Sequence, residues 1–176
     1  DLHHRLPVSE RRGRARAKAL RAGAQITAGN QHMRALWDLL EDNLRRRHRT
    51  QPVHTLAEIT TLATRFPDRL RVIVALVDGK IEAGILLFLT DRVAHAQYIA
   101  SSERGHEVNA LDPVLESAIE ESRLDGRRYF DFGISTENQG RALNEGLNRF
   151  KNEFGAGGVA HDFYEWDLGR NDDAIE

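Results

Sequence analysis

A lysine at the edge of an apolar helix face can stabilise the negative charge that develops on a carbonyl oxygen when an amine attacks it, and Lys151 reads as such a lysine. It follows Phe150 in LNEGLNRFKNEFGA, where Leu143, Leu147, Phe150 and Phe154 recur at helical spacing as a buried stripe. Glu137, Arg141, Asn144, Asn148 and Lys151 line up beside that stripe, and Asn144 and Asn148 are expected to contact substrate there. The same spacing also fits a lysine that lays its stem on apolar surface and keeps its ammonium in water. Asp131, in YFDFGIS, alternates with Phe130 and Phe132 and so faces away from them. An enclosed carboxylate there would have a raised pKa and take a proton from an incoming amine; the alternative is a carboxylate that caps a helix or pairs with an arginine. In SSERGHEVN, residues 101–109, Ser101, Ser102, Arg104 and Gly105 sit where a strand leads into a helix, a place that favours an anion. Such a composition equally suits a plain surface loop.

Other chemistries lack their residues. None of the eight histidines stands at metal-ligand spacing, nothing resembles HExxH, and no metal site is expected. Within β-alternation His95 and Gln97 share one face with Tyr98 on the other; His161 stands near Tyr164, and His54 reads as structural. The absence of cysteine excludes thiolate catalysis and a disulfide framework, and agrees with a reducing, cytoplasmic setting. A GxSxG elbow and a Walker phosphate loop are both missing.

These groups must be positioned by an α/β chain. Met33, Leu36, Trp37, Leu40 and Leu44 predict a helix from Asn30, its N-cap, to Arg47. Thr55 and Glu58 have capping-box spacing for a shorter helix that ends near Phe66, before Pro67. Residues 71–77, 81–89 and 93–100 predict an antiparallel meander, with Asp78-Gly79 as a hairpin turn. Leu111, Val114, Leu115, Ala118, Ile119 and Ser122 mark a helix closed by Gly126, followed by a strand over 128–134, a helix over 137–156 and a last strand over 159–168. The crossover from 93 to 134 makes its two strands parallel, and a sheet that changes from antiparallel to parallel pairing opens a crevice for ligands.

The net charge of −2 conceals an asymmetry: residues 1–50 hold 12 Lys or Arg against 5 Asp or Glu, residues 51–176 hold 13 against 22. A basic front attracts phosphates on a coenzyme, a nucleotide-linked lipid precursor, RNA or a membrane surface, and equally describes a solvated helix face. No stretch of 18 apolar residues spans a bilayer, and the first 23 residues lack the apolar centre of a secretory signal. Residues 1–23, with almost no apolar face in the helix-permissive ERRGRARAKALR, read as a charged connector, or a helix that packs on something absent, from a longer protein whose N-terminal half is missing; 24–168 form the domain and 169–176 a tail.

Taken in order, QYIASS from Gln97, ALDPVL from Ala110, YFDFGIS, LNEGLNRFKNEFGA and FYEWDL from Phe163 resemble the GNAT acyltransferase superfamily, and more narrowly the C-terminal half of the Fem-type peptidoglycan aminoacyltransferases and their acetyltransferase relatives. The resemblance covers residues 66–168. It implies a mixed, mostly antiparallel central sheet with helices on both faces and a splayed parallel strand pair. It places Lys151 at the transfer centre and Tyr98, Ser101 and Ser102 beside the acceptor groove. The superfamily's Q/R-x-x-G-x-G/A loop for coenzyme A has no counterpart in register within SSERGHEVNA, so acetyl-CoA (or another acyl-CoA) and aminoacyl-tRNA both stand as donors. The implied reaction is N-acyl transfer to a small-molecule or lipid-linked amine of a cell-envelope precursor. The alternatives are a non-catalytic recognition half that holds the acceptor for the missing half, and an RNA-binding module built on the arginines, which lacks base-stacking aromatic strands.

Overall fold

The computed structural model of the chain describes residues 1–162 and 164–166. Three runs of branched residues form the three long strands: β2 (Leu70–Val77), β3 (Lys80–Leu89) and β4 (Val93–Ser101). Asp78 and Gly79 both take positive φ, the conformation of the tight hairpin turn that the Asp-Gly pair predicts. A short strand absent from the sequence-based expectation, β1 (Gln25–Ala28), pairs with β2, and β5 (Tyr129–Asp131) pairs with β4. The order is β1-β2-β3-β4-β5, antiparallel except for the parallel β4–β5 pair. This is the mixed sheet flanked by helices that the sequence implies.

Helices cover both faces. On one lie α2 (Met33–His48) and α3 (Leu56–Arg65), which bury Leu36, Trp37, Leu40 and Ile59 against Val72, Val74 and Leu86. The Thr55–Glu58 capping box is present with both of its bonds, whereas Asn30 sits in a 3-10 turn and gives its side chain to the Leu70 carbonyl instead of capping α2. On the other face α5 (Leu111–Leu124) buries Val114, Leu115, Ala118 and Ile119 against Ile73, Ile85 and Leu87.

Four expectations fail, each for a local reason. Residues 1–23 are not a free connector: α1 (Glu10–Arg21) packs on α5 through fully buried Ala19, and the extended segment before it bonds Leu2 N to Arg128 O and Ser9 N to Glu153 O. Alanine and a paired arginine, rather than large apolar residues, make its buried face. The stretch 101–109 is not a loop, because Ser102 caps a short helix α4 (Glu103–Val108) ahead of α5. The helix over 137–156 begins only at Glu145: Asn138, Gln139 and Gly140 take positive φ and turn a hairpin between β6 (Thr136–Glu137) and β7 (Ala142–Leu143), after which α6 runs Glu145–Asn152. Glu137 and Arg141 therefore leave the Lys151 stripe, and Leu143 and Leu147 are exposed, so only Phe150 and Phe154 form the apolar seam. Residues 159–162 and 164–166 form no strand. Val159, Tyr164 and Trp166 are exposed with no sheet neighbour to pair them. The remainder of that expected strand, and the tail at 169–176, lie outside the described residues.

Candidate active site

Strands β4 and β5 stay paired for three positions, Val93–Tyr129, Ala94–Phe130 and His95–Asp131, and then diverge. Strand β4 continues to Ser101 with no strand on that side among the described residues, which leaves alternate main-chain groups facing a slot; Asn43 Nδ2 reaches one of them, Ser101 O, at 2.8 Å. Just past the fork the register of β4 on β3 slips: Ala96 faces Leu87 but Tyr98 faces Leu86, so Gln97 is an extra residue. The bulge reverses the alternation. His95 is paired with Phe88 and Tyr98 with Leu86, and both partners belong to the α2–α3 face, so His95 and Tyr98 share a face instead of pointing apart.

At the fork His95 Nδ1 meets Asp131 Oδ2 at 2.7 Å, and Asp131 Oδ1 accepts from Gly133 N at 2.8 Å. The carboxylate only accepts, so Nδ1 carries the proton and the free nitrogen is Nε2. The side chains are 35% and 49% exposed, open to an incoming molecule. Asp131 faces away from Phe130 and Phe132, which join the α5-side core, as alternation requires. Its raised pKa does not follow. Burial pushes the carboxyl up, but the Gly133 N–H and the His95 ring outweigh it and hold the pKa below the ordinary value. Asp131 is thus a fixed anion that orients His95. The sequence offered no metal spacing for His95 and did not reveal its pairing with Asp131, because that partner lies 36 residues away across the crossover.

Lys151 is buried, not placed between core and solvent. Its Nζ donates to Gly133 O at 2.9 Å and Ile134 O at 2.5 Å, two of its three donors. Burial lowers its pKa, with the Asp131 charge acting against that shift. It clamps the turn that walls the slot just after β5. The clamp is held from behind by Arg12 of α1, itself buried, which meets Asp112 Oδ1 at 2.9 Å and lies over the rings of Phe150 and Phe154. Arg12 Nε approaches Glu153 Oε2 at 2.9 Å as a charge contact without hydrogen-bond geometry. Buried Asp112 and half-buried Glu153 share this one guanidinium, and burial pushes Asp112 up to about 6 despite Arg12.

A second pair lies on the same face. Tyr98 OH sits 2.7 Å from His54 Nδ1, with the Tyr98 ring edge-on to Trp37 and the His54 ring edge-on to Phe88, the cross-strand partner of His95. His54, read from the sequence as structural, lies between Phe88 and Tyr98 on this face.

The expected anion site at the end of β4 is already filled. Ser101 is buried against the Glu82 carbonyl, Ser102 Oγ binds the Glu82 carboxylate and caps Gly105 N, and Arg104 pairs with Glu107. Gly105 is needed because a Cβ there would strike the Glu82 carbonyl, a matter of packing on β3 and not of admitting a phosphate. Asn144 caps α6 through Leu147 N and bonds Glu137; Asn148 lies one turn before Lys151. The slot instead runs past these residues into a notch of about 180 Å³ lined by Leu44, Arg47, Ile99, Ser101, His106 and Leu111. A larger depression of about 330 Å³ lies away from the fork, over Arg71, Asp125 and Arg127, where the one carboxylate pairs with both arginines. Among the described residues no group of three or more His, Asp and Glu side chains is placed to hold a metal, and no helix is long and apolar enough to cross a membrane.

The family model described as an acetyltransferase (GNAT) domain matches residues 9–152. Similar solved structures include a possible acetyltransferase from Clostridium difficile 630, with 8% identity, a TM-score of 0.61, and coverage of 84% of this chain and 99% of that one. An aminoglycoside acetyltransferase, meta-AAC0020, from an uncultured soil metagenomic sample, in complex with trehalose, gives 12% identity, a TM-score of 0.57, and 82% and 97% coverage. AAC(6')-Iy in complex with the bisubstrate analogue CoA-S-monomethyl-acetylneamine gives 13% identity, a TM-score of 0.58, and 82% and 99% coverage. At such identities the likeness is one of fold. No curated protein matches the sequence.

Proposed function

Because this chain belongs to the acetyltransferase (GNAT) domain family, and is an acyltransferase acting on amines, we propose that it moves an acyl group from a coenzyme A thioester to a primary amine with His95 as general base. The observation that carries this is the His95–Asp131 pair at the mouth of the fork, its Nε2 free and its tautomer fixed. The acceptor nitrogen attacks the thioester carbonyl, an N–C bond forms and the C–S bond breaks. The proton lost by the amine goes to His95 Nε2, which then gives it to the departing sulfur. Asp131 positions the ring and stabilises the imidazolium. Lys151 holds the Gly133–Ile134 turn that shapes the slot, and Tyr98 with His54 lines the acceptor side. The chain has no cysteine, and direct transfer needs no covalent enzyme intermediate.

A neighbour held with a CoA-linked analogue supports coenzyme A over aminoacyl-tRNA as donor. For the acceptor, the QYIASS and LNEGLNRFKNEFGA blocks favour an amine of a cell-envelope precursor, and the aminoglycoside acetyltransferase neighbours favour an amino sugar. The protein is incubated with acetyl-CoA and, separately, with charged tRNA, each against an aminoglycoside, a lysyl peptide and a peptide-bearing envelope precursor, and products are weighed by mass spectrometry. Acetylated amine from the first donor is expected; product from charged tRNA alone would reverse the donor assignment, and none from either would remove the proposal.

A further inference from the structure

We infer that Arg47, with His106, grips the phosphate end of the donor through side-chain charge, in place of the main-chain nest that the β4–α4 connection does not provide. This rests on the coenzyme A donor proposed above and adds to it how this chain holds the anion. The protein's own groups already crowd that turn, since Ser102 Oγ takes Gly105 N and the Glu82 carboxylate sits on Ser102. A second carboxylate or phosphate there would meet that charge at contact distance.

The slot offers another end point. Its notch has apolar walls, Leu44, Ile99 and Leu111, and two cationic or protonatable groups, Arg47 and His106, facing it from different elements. Arginines crowd the end of α2: Arg45 pairs with Asp42, and Arg46 with Asp42 and Glu103. Among the described residues Arg47 has no carboxylate partner. Burial, and then Arg47 itself, hold His106 below its ordinary pKa, so the two groups lie close enough for their charges to repel. From His95 to Ile99 along β4, allowing for the bulge, is about 10–13 Å at the rise of a strand. The notch is therefore in line with the fork, at the far end of the open β4 edge. An apolar channel that ends in a guanidinium and an imidazole matches a phosphate ester carried on an extended arm.

Binding of CoA, dephospho-CoA and pantetheine is measured by calorimetry for the wild type, Arg47→Ala, Arg47→Lys and His106→Ala. The wild type is expected to bind CoA at least about tenfold more tightly than pantetheine, with the gap narrowing as salt rises. R47A should lose about tenfold in CoA affinity and leave pantetheine unchanged, R47K should recover part of the loss, and H106A should weaken CoA most at low pH. If R47A binds CoA within about twofold of the wild type while CoA still serves as donor, the grip is refuted and the activity stands. If the wild type neither binds CoA nor uses it, both fall together.

Discussion

Replacing His95 by glutamine separates catalysis from stability. The His95 and Asp131 side chains are 35% and 49% exposed, so the hydrogen bond between them contributes at most about 1 kcal/mol to folding. A positioned general base contributes about 10²–10⁴-fold in rate. At about 1.4 kcal/mol per tenfold that is about 3–5 kcal/mol of transition-state free energy, well above the folding term. H95Q should melt within a few degrees of the wild type and lose at least two orders of magnitude in kcat/KM. The assay follows release of the CoA thiol between pH 5.5 and 9, with an acceptor amine whose own pKa lies below that range. Wild-type kcat/KM should exceed that of H95Q by at least two orders of magnitude across this range. A variant within about threefold of the wild type would show that another group takes the proton.

Arg12→Met breaks a buried charge cluster and should cost about 3–5 kcal/mol, or roughly 6–20 °C in the melting temperature; a shift under 2 °C by calorimetry would mean the cluster does not hold α6 in place. Lys151→Ala removes two charge-assisted bonds to Gly133 O and Ile134 O and should lower stability by about 2–4 kcal/mol as well as turnover. Hydrogen exchange should quicken at residues 133–135, and unchanged protection there would contradict the clamp. The Asp112 carboxyl, at about 6, keeps its proton to higher pH in the folded chain than in the unfolded one, at about 3.9. Stability should therefore fall as pH rises between those values and be level above them, and D112N should flatten that slope in urea midpoints; an identical slope in both would exclude Asp112 as its source. Asp131, with its lowered pKa, acts in the opposite sense and only below that window.

The legible parts of the sequence were those with strong local periodicity. The meander, its Asp-Gly turn and the Thr55 capping box follow from branched residues, positive-φ propensity and side-chain geometry within a few positions. The parallel β4–β5 pair followed from the crossover rule. What stayed hidden depends on long-range contact or on one-residue irregularities. Gln97 carries no mark of a bulge, so strict alternation put Tyr98 and His95 on opposite faces. Lys151 was found by type and spacing, but its burial required knowing that Gly133 and Ile134 would turn their carbonyls on it. Helix α1 looked too polar to pack because its apolar contribution is alanine and its buried arginine is matched by carboxylates 100 and 141 positions away in Asp112 and Glu153.

The clasp between the start of α1 and the end of α6 has a consequence for biosynthesis. Leu2 bonds Arg128, Ser9 bonds Glu153, and Arg5 bonds the Phe154 carbonyl 149 positions on, so residues 2–9 wait during synthesis for partners far downstream. At about 5–20 residues per second the delay is of order ten seconds. Throughout that interval the faces of Ala15, Ala19 and Arg12 lack their neighbours, while the meander can already assemble from contacts close in sequence. Maturation of the nascent chain should thus proceed from the sheet outward, with the wall of the slot beside Lys151 completed in the same late step that brings the start of α1 onto the end of α6.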